Sequence, residues 1–285
     1  MLRFTPAVLP LTIAAFLAGA AIHGENQPPV VVFSSDAWCW LILLKARNLV
    51  KKYGGRTVVD HVSFDVGNQE VVGLLGRNGA GKTTTFHMVI GMVPPNDGRI
   101  LFDGVDITHL PMYKRARRGM GYLSQEPSVF LRLTVEQNLL AILETTRRSR
   151  RERRRESCRL MEQFGLLSTR RQKAYTLSGG ERRKLEIARA LITNPSLILL
   201  DEPFSGVDPI AVEDLQREIR QLRAQMGKAI LITDHNVQRT LEVCDRALII
   251  SEGKVLAQGA PRELINDPLV RQTYLGHTFK GDEFG

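Results

Sequence analysis

Residues 76 to 84 read Gly-Arg-Asn-Gly-Ala-Gly-Lys-Thr-Thr, which fits the spacing G-x-x-x-x-G-K-[ST] at Gly76, Gly81, Lys82 and Thr83. A triphosphate needs several donors converging on it with no side chains in the way. Glycines let the backbone amides of Gly76, Asn78, Gly79, Ala80 and Gly81 turn inward and approach closely. The loop leads into a helix start, whose unpaired amides favour negative charge. Lys82 is placed to hold the β- and γ-phosphates, the Thr83 hydroxyl to ligate Mg²⁺, and Thr84 to add a phosphate contact.

Such a loop requires a strand before it and a helix after it. Val71 to Leu75 is a short apolar run, and Thr83 to Met92 continues to Gly91 without a breaker, so an α/β fold is expected. Upstream, strands are expected at Leu43 to Val50, His61 to Val66 and Glu70 to Leu75. Tyr53 lies 23 residues before Gly76. It can stack on an adenine face or simply close a strand as an end aromatic. Downstream, Pro94 to Gly98 reads as a turn, Arg99 to Phe102 as a strand, and Met120 onward as a strand ending in a polar loop at Gln125. A helix from Thr134 through Glu144 and an arginine-rich helix then form a helical insert over about residues 128–175.

Leu177-Ser-Gly-Gly-Glu181 precedes a helix expected at Arg182 to Ile192. Ser178, Gly179 and Gly180 offer a hydroxyl and free amides at a helix N-terminus, a second anion site of the same physical kind as the first. One chain is not expected to bring both sites to one nucleotide. Ser196 to Leu200 is a buried-type strand ending in Asp201-Glu202-Pro203. These acids supply two roles that hydrolysis needs: Asp201 for the Mg²⁺ shell, and Glu202 to orient and polarise the attacking water. Ala229 to Thr233 is the next strand, and His235, just past its end, can reach a γ-phosphate.

With 43% hydrophobic and 24% charged residues among 285, the chain is expected to build one large two-lobed domain with a real core. Cys39, Cys158 and Cys244 form no metal-type cluster and read as incidental thiols in a reducing compartment. The net charge of +9 is concentrated: Arg147 to Arg159 holds eight arginines against Glu152 and Glu156. Such a run reads as a solvated helix face, with anionic lipid headgroups or nucleic acid as alternatives. Residues 1–40 differ from the rest, with a short basic start, an apolar Ala7 to Ile22 and a small-residue Ala18-Gly19-Ala20. They resemble a secretory signal or weak anchor. That conflicts with a nucleotide site served by cytoplasmic ATP, so they are expected to lie outside the working domain, a retained anchor being the alternative.

The phosphate loop, Gln125, Leu177 to Glu181, Leu197 to Pro203, Ser205 to Asp208 and His235 together resemble the ordered motif set of ABC-transporter ATPase subunits over about residues 41–280. The finer pattern is similar to the ATP-binding subunits of lipopolysaccharide export transporters, in Asp201 to Ile210, Thr233 to Cys244, Tyr274 to Gly276 and Phe279. The resemblance implies an ABC-type P-loop NTPase with a RecA-like core, an antiparallel β subdomain and a helical subdomain. It also implies a head-to-tail homodimer. Each ATP would lie between Lys82, Thr83 and Glu202 of one copy and Ser178 to Gly180 of the other. Gln125 would contact Mg²⁺ and the attacking water, and Asp208 would line the dimer seam. The helical insert and the loop carrying Phe130 and Arg132 would dock two transmembrane permease subunits, placing the chain at the cytoplasmic face of the inner membrane.

Three departures stand out. Arg77 and Ser124 occupy positions where prolines are usual, and Phe130-Leu131-Arg132 keeps one basic residue where the docking loop often has two. Branched-chain amino-acid import is the alternative transport reading. A soluble ABC-type ATPase acting on nucleic acid would need a long coiled coil or two cassettes, so no nucleic-acid partner is expected.

Overall fold

The computed structural model describes residues 42–126, 128–206 and 209–275, with the backbone alone at 209–211. The described residues from Leu43 onward belong to one compact unit. The expected extension at 1–40 and the family-like Phe279 lie outside the described residues, as does Asp208.

Two sheets carry the fold. Strands β1 (Ile42–Tyr53), β2 (Arg56–Gly67), β4 (Asp97–Phe102) and β5 (Val105–Asp106) form one, in the order β2-β1-β4-β5, with β4 antiparallel to both β1 and β5. The second has six strands in the order β10-β9-β3-β8-β7-β6. They are β3 (Val71–Gly76), β6 (Met120–Leu123), β7 (Leu197–Asp201), β8 (Ala229–Thr233), β9 (Arg246–Ser251) and β10 (Lys254–Gly259). All neighbours in it are parallel except β9 and β10.

Both faces of this second sheet are covered at its centre, which is why β3, β7 and β8 are buried along their whole length and almost continuously apolar. The side-chain period of two divides them between separate cores. Leu197, Leu199, Ala229 and Leu231 pack with Phe64, Phe86 and Ile100, whereas Ile198, Leu200, Ile230 and Ile232 pack with Leu139, Leu160 and Leu185.

Helix α1 (Lys82–Ile90) follows the phosphate loop, and α2 (Met112–Arg117) precedes β6. Between β6 and β7 stand α3 (Val135–Leu143), α4 (Arg150–Gln163) and α5 (Gly179–Leu191). All three begin with the same reciprocal device, in which a hydroxyl at the cap accepts from the third amide and that residue's side chain accepts from the cap amide. The pairs are Thr134 with Gln137, Ser149 with Glu152, and Ser178 with Glu181. Helix α6 (Pro209–Ala224) and the short α7 (Val237–Leu241) complete the main layers.

Three sequence expectations are corrected here. The helix after Leu177 begins at Gly179 rather than Arg182, because the Ser178 and Glu181 cap draws both glycines into its first turn. Strand β1 runs on through Tyr53, and Asp97 and Gly98 belong to β4 rather than to a turn.

Candidate active site

Parallel pairing brings the C-terminal ends of β3, β6, β7 and β8 to one edge of the sheet, with Leu123 level with Leu200, and Asp201 level with Thr233. Ligand sites in open α/β sheets form along such an edge. The phosphate loop, Gln125, Asp201 with Glu202, and Asp234 with His235 all leave the sheet there.

The loop conformation explains its glycines. Gly76 has φ of 151°, and a Cβ there would stand 2.2 Å from the Ile250 carbonyl oxygen. Gly81 is the N-cap of α1 with φ of 104°, and a Cβ would come within 2.7 Å of the Val58 oxygen. Close passage of neighbouring backbone therefore demands glycine at both positions. Helix α1 begins with no side-chain cap and no acidic residue in its first turn. Its leading amides, at Lys82, Thr83 and Thr84, have no intrahelical acceptor and are available to an anion. The buried Lys82 ammonium donates to the carbonyls of Gly76 at 2.6 Å and Arg77 at 3.0 Å. Burial lowers its pKa, opposed by the charges of Glu202 and Asp234.

Glu202 is the meeting point of three elements. Its backbone is left-handed, with φ of 44°, and its amide donates to the Thr233 carbonyl at 2.7 Å. Its Oε2 accepts from Gln125 Nε2 at 3.0 Å and lies 3.6 Å from His235 Nδ1. Asp234, fully buried, accepts from the amides of Phe204 at 2.9 Å and Asn236 at 2.8 Å, fixing the turns that carry Glu202 and His235. Burial raises its pKa despite those two bonds.

Asp201 is buried, and burial raises its pKa while His87 and Tyr122 act to lower it. Its Oδ2 accepts from the Tyr122 hydroxyl at 3.2 Å and lies 3.6 Å from His87 Nε2. Thr83, Gln125, Asp201 and Glu202 line one cavity of about 450 Å³ with His87 and Tyr122 and with no lysine or arginine. Among the described residues no group of three or more His, Cys, Asp and Glu could hold a metal. Mg²⁺ held jointly with nucleotide phosphates needs only one or two carboxylates and other oxygen donors, so this donor set fits it.

The remaining expected residues lie in neighbouring cavities or on the surface. Asn78, Gly79 and Ala80 line a cavity of about 660 Å³ with Tyr274, while Gly179 and Gly180 line one of about 250 Å³ with Gln125 and Glu202. The Ser178 hydroxyl is engaged rather than free, accepting from the Glu181 amide and donating to Glu181 Oε2 at 2.8 Å. Tyr53 is 48% exposed at the end of β1, with Lys51 Nζ 5.2 Å from its ring centre. Phe130 is exposed beneath the Arg189 guanidinium at 4.6 Å, Arg132 is exposed, and buried Asn138 grips the loop by exchanging bonds with both backbone groups of Phe130.

Four contributors escaped the sequence reading. Tyr122 and His87 flank Asp201, Asp234 props the two turns, and Tyr274 accepts from the Gly76 amide at 3.0 Å. Only Asp234 carried a local signal, as an acid closing an apolar strand beside His235.

Comparison with known proteins accords with this geometry. The ABC transporter family pattern matches residues 59–205. The lipopolysaccharide export system ATP-binding protein LptB of Acidithiobacillus ferridurans is 54% identical over 238 residues, spanning 84% of this chain and 98% of that protein. Its namesake in Escherichia coli (strain K12) is 53% identical over 238 residues, spanning 83% and 98%. Among solved structures, the ADP conformation of MJ1267, an ATP-binding cassette of an ABC transporter, superposes with a TM-score of 0.75 at 28% identity, covering 83% of this chain and all of that one.

Proposed function

We propose that this chain, which belongs to the ABC transporter family of ATP-binding proteins, powers lipopolysaccharide export as the ATPase subunit of a transporter. The observation that carries its hydrolytic reading is the convergence on Glu202, where Gln125 donates at 3.0 Å and His235 stands 3.6 Å away. Its cargo is inferred from relatives over half identical along nearly their whole length.

In this reading the amides of the phosphate loop and α1 cradle ATP, and Lys82 swings from the Gly76 and Arg77 carbonyls to the β- and γ-phosphates. Tyr53 stacks on the adenine. Thr83, Gln125 and Asp201 would hold Mg²⁺, which when bound neutralises charge on the phosphate oxygens. Glu202, oriented by Gln125, accepts a proton from the attacking water, and His235 steadies the γ-phosphate. The α5 N-terminus serves a second copy of the chain: Ser178, Gly179 and Gly180 face the partner's nucleotide in a head-to-tail homodimer, with Asp208 along the seam. The engaged Ser178 hydroxyl still leaves the leading amides of α5 for that task.

No helix among the described residues is long and apolar enough to cross a membrane. In this reading the lipid path belongs to two transmembrane permease subunits, docked through Phe130 and Arg132 at the cytoplasmic face of the inner membrane. Purification of the native complex from membranes, with identification of the attached polytopic subunits and lipid, tests the assignment. Lipopolysaccharide with two permease subunits is expected; recovery of a periplasmic amino-acid receptor system in their place would overturn it.

A further inference from the structure

The arginine run is not absorbed by the ATPase site. On α4, Glu152 is committed to the Ser149 cap and Glu156 to Arg159, at 2.7 Å in each case. Arg147, Arg150, Arg151, Arg154 and Arg155 are all exposed, and their side chains make no hydrogen bond or ion pair among the described residues. The helix is fixed through the side that buries Ser157, Leu160 and Met161. Arg151, Arg154 and Arg155 thus share an outward face at helical spacing.

A second set of cations joins them from a distant part of the chain. Arg117 and Arg118, at the end of α2, line one open cleft of about 690 Å³ with Arg147 and Arg148, Glu152 being its single acid. The Arg148 guanidinium is tethered to the Ile192 carbonyl at 3.2 Å, and the Arg148 carbonyl accepts from Arg153 Nε at 3.1 Å, so the cleft wall is held in place. Concentrating cations this way is costly through self-repulsion unless an anionic partner offsets it.

We infer that this cleft and the outer face of α4 form a docking surface for the anionic phospholipid headgroups of a membrane. Charge complementarity selects the occupant: the run of eight arginines and two glutamates carries +6 of the chain's +9. A phosphate-rich lipid surface can engage many arginines at once, whereas a single small anion would meet only part of the cleft lined by Arg117, Arg118, Arg147 and Arg148. Helix α4 also packs on α3, whose Asn138 holds the Phe130 loop, so the arginine-bearing helix belongs to the same insert as the segment proposed above to face the membrane subunits. The inference rests on that reading only for the direction in which the surface points.

The test uses the full chain and protein-free vesicles at about 0.15 M salt, where screening over ~8 Å leaves short-range attraction intact. Vesicles of phosphatidylcholine alone are compared with vesicles containing phosphatidylglycerol. Three proteins are measured: wild type, an R151Q/R154Q/R155Q variant, and an R99Q/R217Q/R220Q variant that loses equal charge elsewhere. Wild type should prefer the phosphatidylglycerol vesicles. Each membrane-facing arginine contributes roughly fivefold in partitioning, so the α4 variant should lose more than tenfold while the distant variant and the basal ATPase rate stay near wild type. A loss under tenfold, an equal loss in the distant variant, or wild-type binding that is equal on phosphatidylcholine and phosphatidylglycerol vesicles would overturn the inference. So would a defect seen only with vesicles containing the permease subunits, which would assign the face to an acidic protein partner. The transport reading fails separately, by identification of a different cargo.

Discussion

The Tyr274 hydroxyl accepts a hydrogen bond from the Gly76 amide at 3.0 Å, joining the last described turn of the chain to the first residue of the phosphate loop across 198 positions. Burial pushes the phenol up to about 12, so it stays protonated throughout the physiological range. Tyr274→Phe keeps the ring packing and strands a buried amide. The expected cost is ~1 kcal/mol, a melting point lower by roughly 2–4 °C, with a higher KM for ATP. Thermal melts and steady-state kinetics check it; unchanged values in both would mean the contact does not position the loop.

Lys82→Ala removes a charged donor from the phosphate cradle and should weaken ATP binding by roughly 10- to 100-fold. Titration with a fluorescent nucleotide reads this directly. Wild-type affinity in the variant would refute the cradle assignment.

The same lysine predicts a pH dependence. A triphosphate favours the ammonium form, so binding is strongest below the Lys82 pKa of the nucleotide-free protein and falls as pH rises through it. Burial sets that pKa below the ordinary 10.5. Affinity should therefore decline on the alkaline side before ordinary lysines titrate, by up to tenfold per unit once past the pKa, and Lys82→Ala should lack this decline. Parallel profiles for the two proteins would contradict it.

Tyr122→Phe deletes the hydroxyl that donates to Asp201 at 3.2 Å. Losing ~1 kcal/mol of orientation corresponds to about a fivefold rise in the Mg²⁺ needed for half-maximal activity. An unaltered Mg²⁺ dependence would separate Tyr122 from the metal-binding role proposed for Asp201.

The sequence made the fold and most of the site legible because their determinants are local. Gly76 to Thr84 announces a phosphate loop by spacing, and Leu197 to Asp201 reads as a strand covered on both faces because it is continuously apolar. The start of α5 was misread for an equally local reason: two glycines ordinarily argue against a helix, but the reciprocal cap between Ser178 and Glu181 outweighs them. Tyr122, His87 and Tyr274 were illegible because each acts through a partner distant in sequence. Arg115 illustrates the same limit. Nothing in Met112 to Arg117 signals that its guanidinium will be 1% exposed, with burial lowering its pKa to about 10.

That guanidinium donates to the carbonyls of Met88 and Val89 at the end of α1, and to those of Leu110 and Thr108. Arg115→Met would remove all four donated bonds from the core, the Met88 carbonyl keeping a partner in the Gly91 amide. A destabilisation of at least ~3 kcal/mol is expected in urea unfolding. A loss below about 1 kcal/mol would show that the carbonyls find other donors.

Glu202→Gln tests the central claim most directly. The variant should bind ATP and lose nearly all turnover, because an amide cannot take the proton from water. With both nucleotide sites then closed by the α5 N-terminus of the opposite copy, light scattering in ATP and Mg²⁺ should report a dimer that reverts to monomer when nucleotide is withdrawn. A Glu202→Gln protein that binds ATP yet stays monomeric, alone and with its membrane subunits, or that hydrolyses ATP at the wild-type rate, would contradict the account.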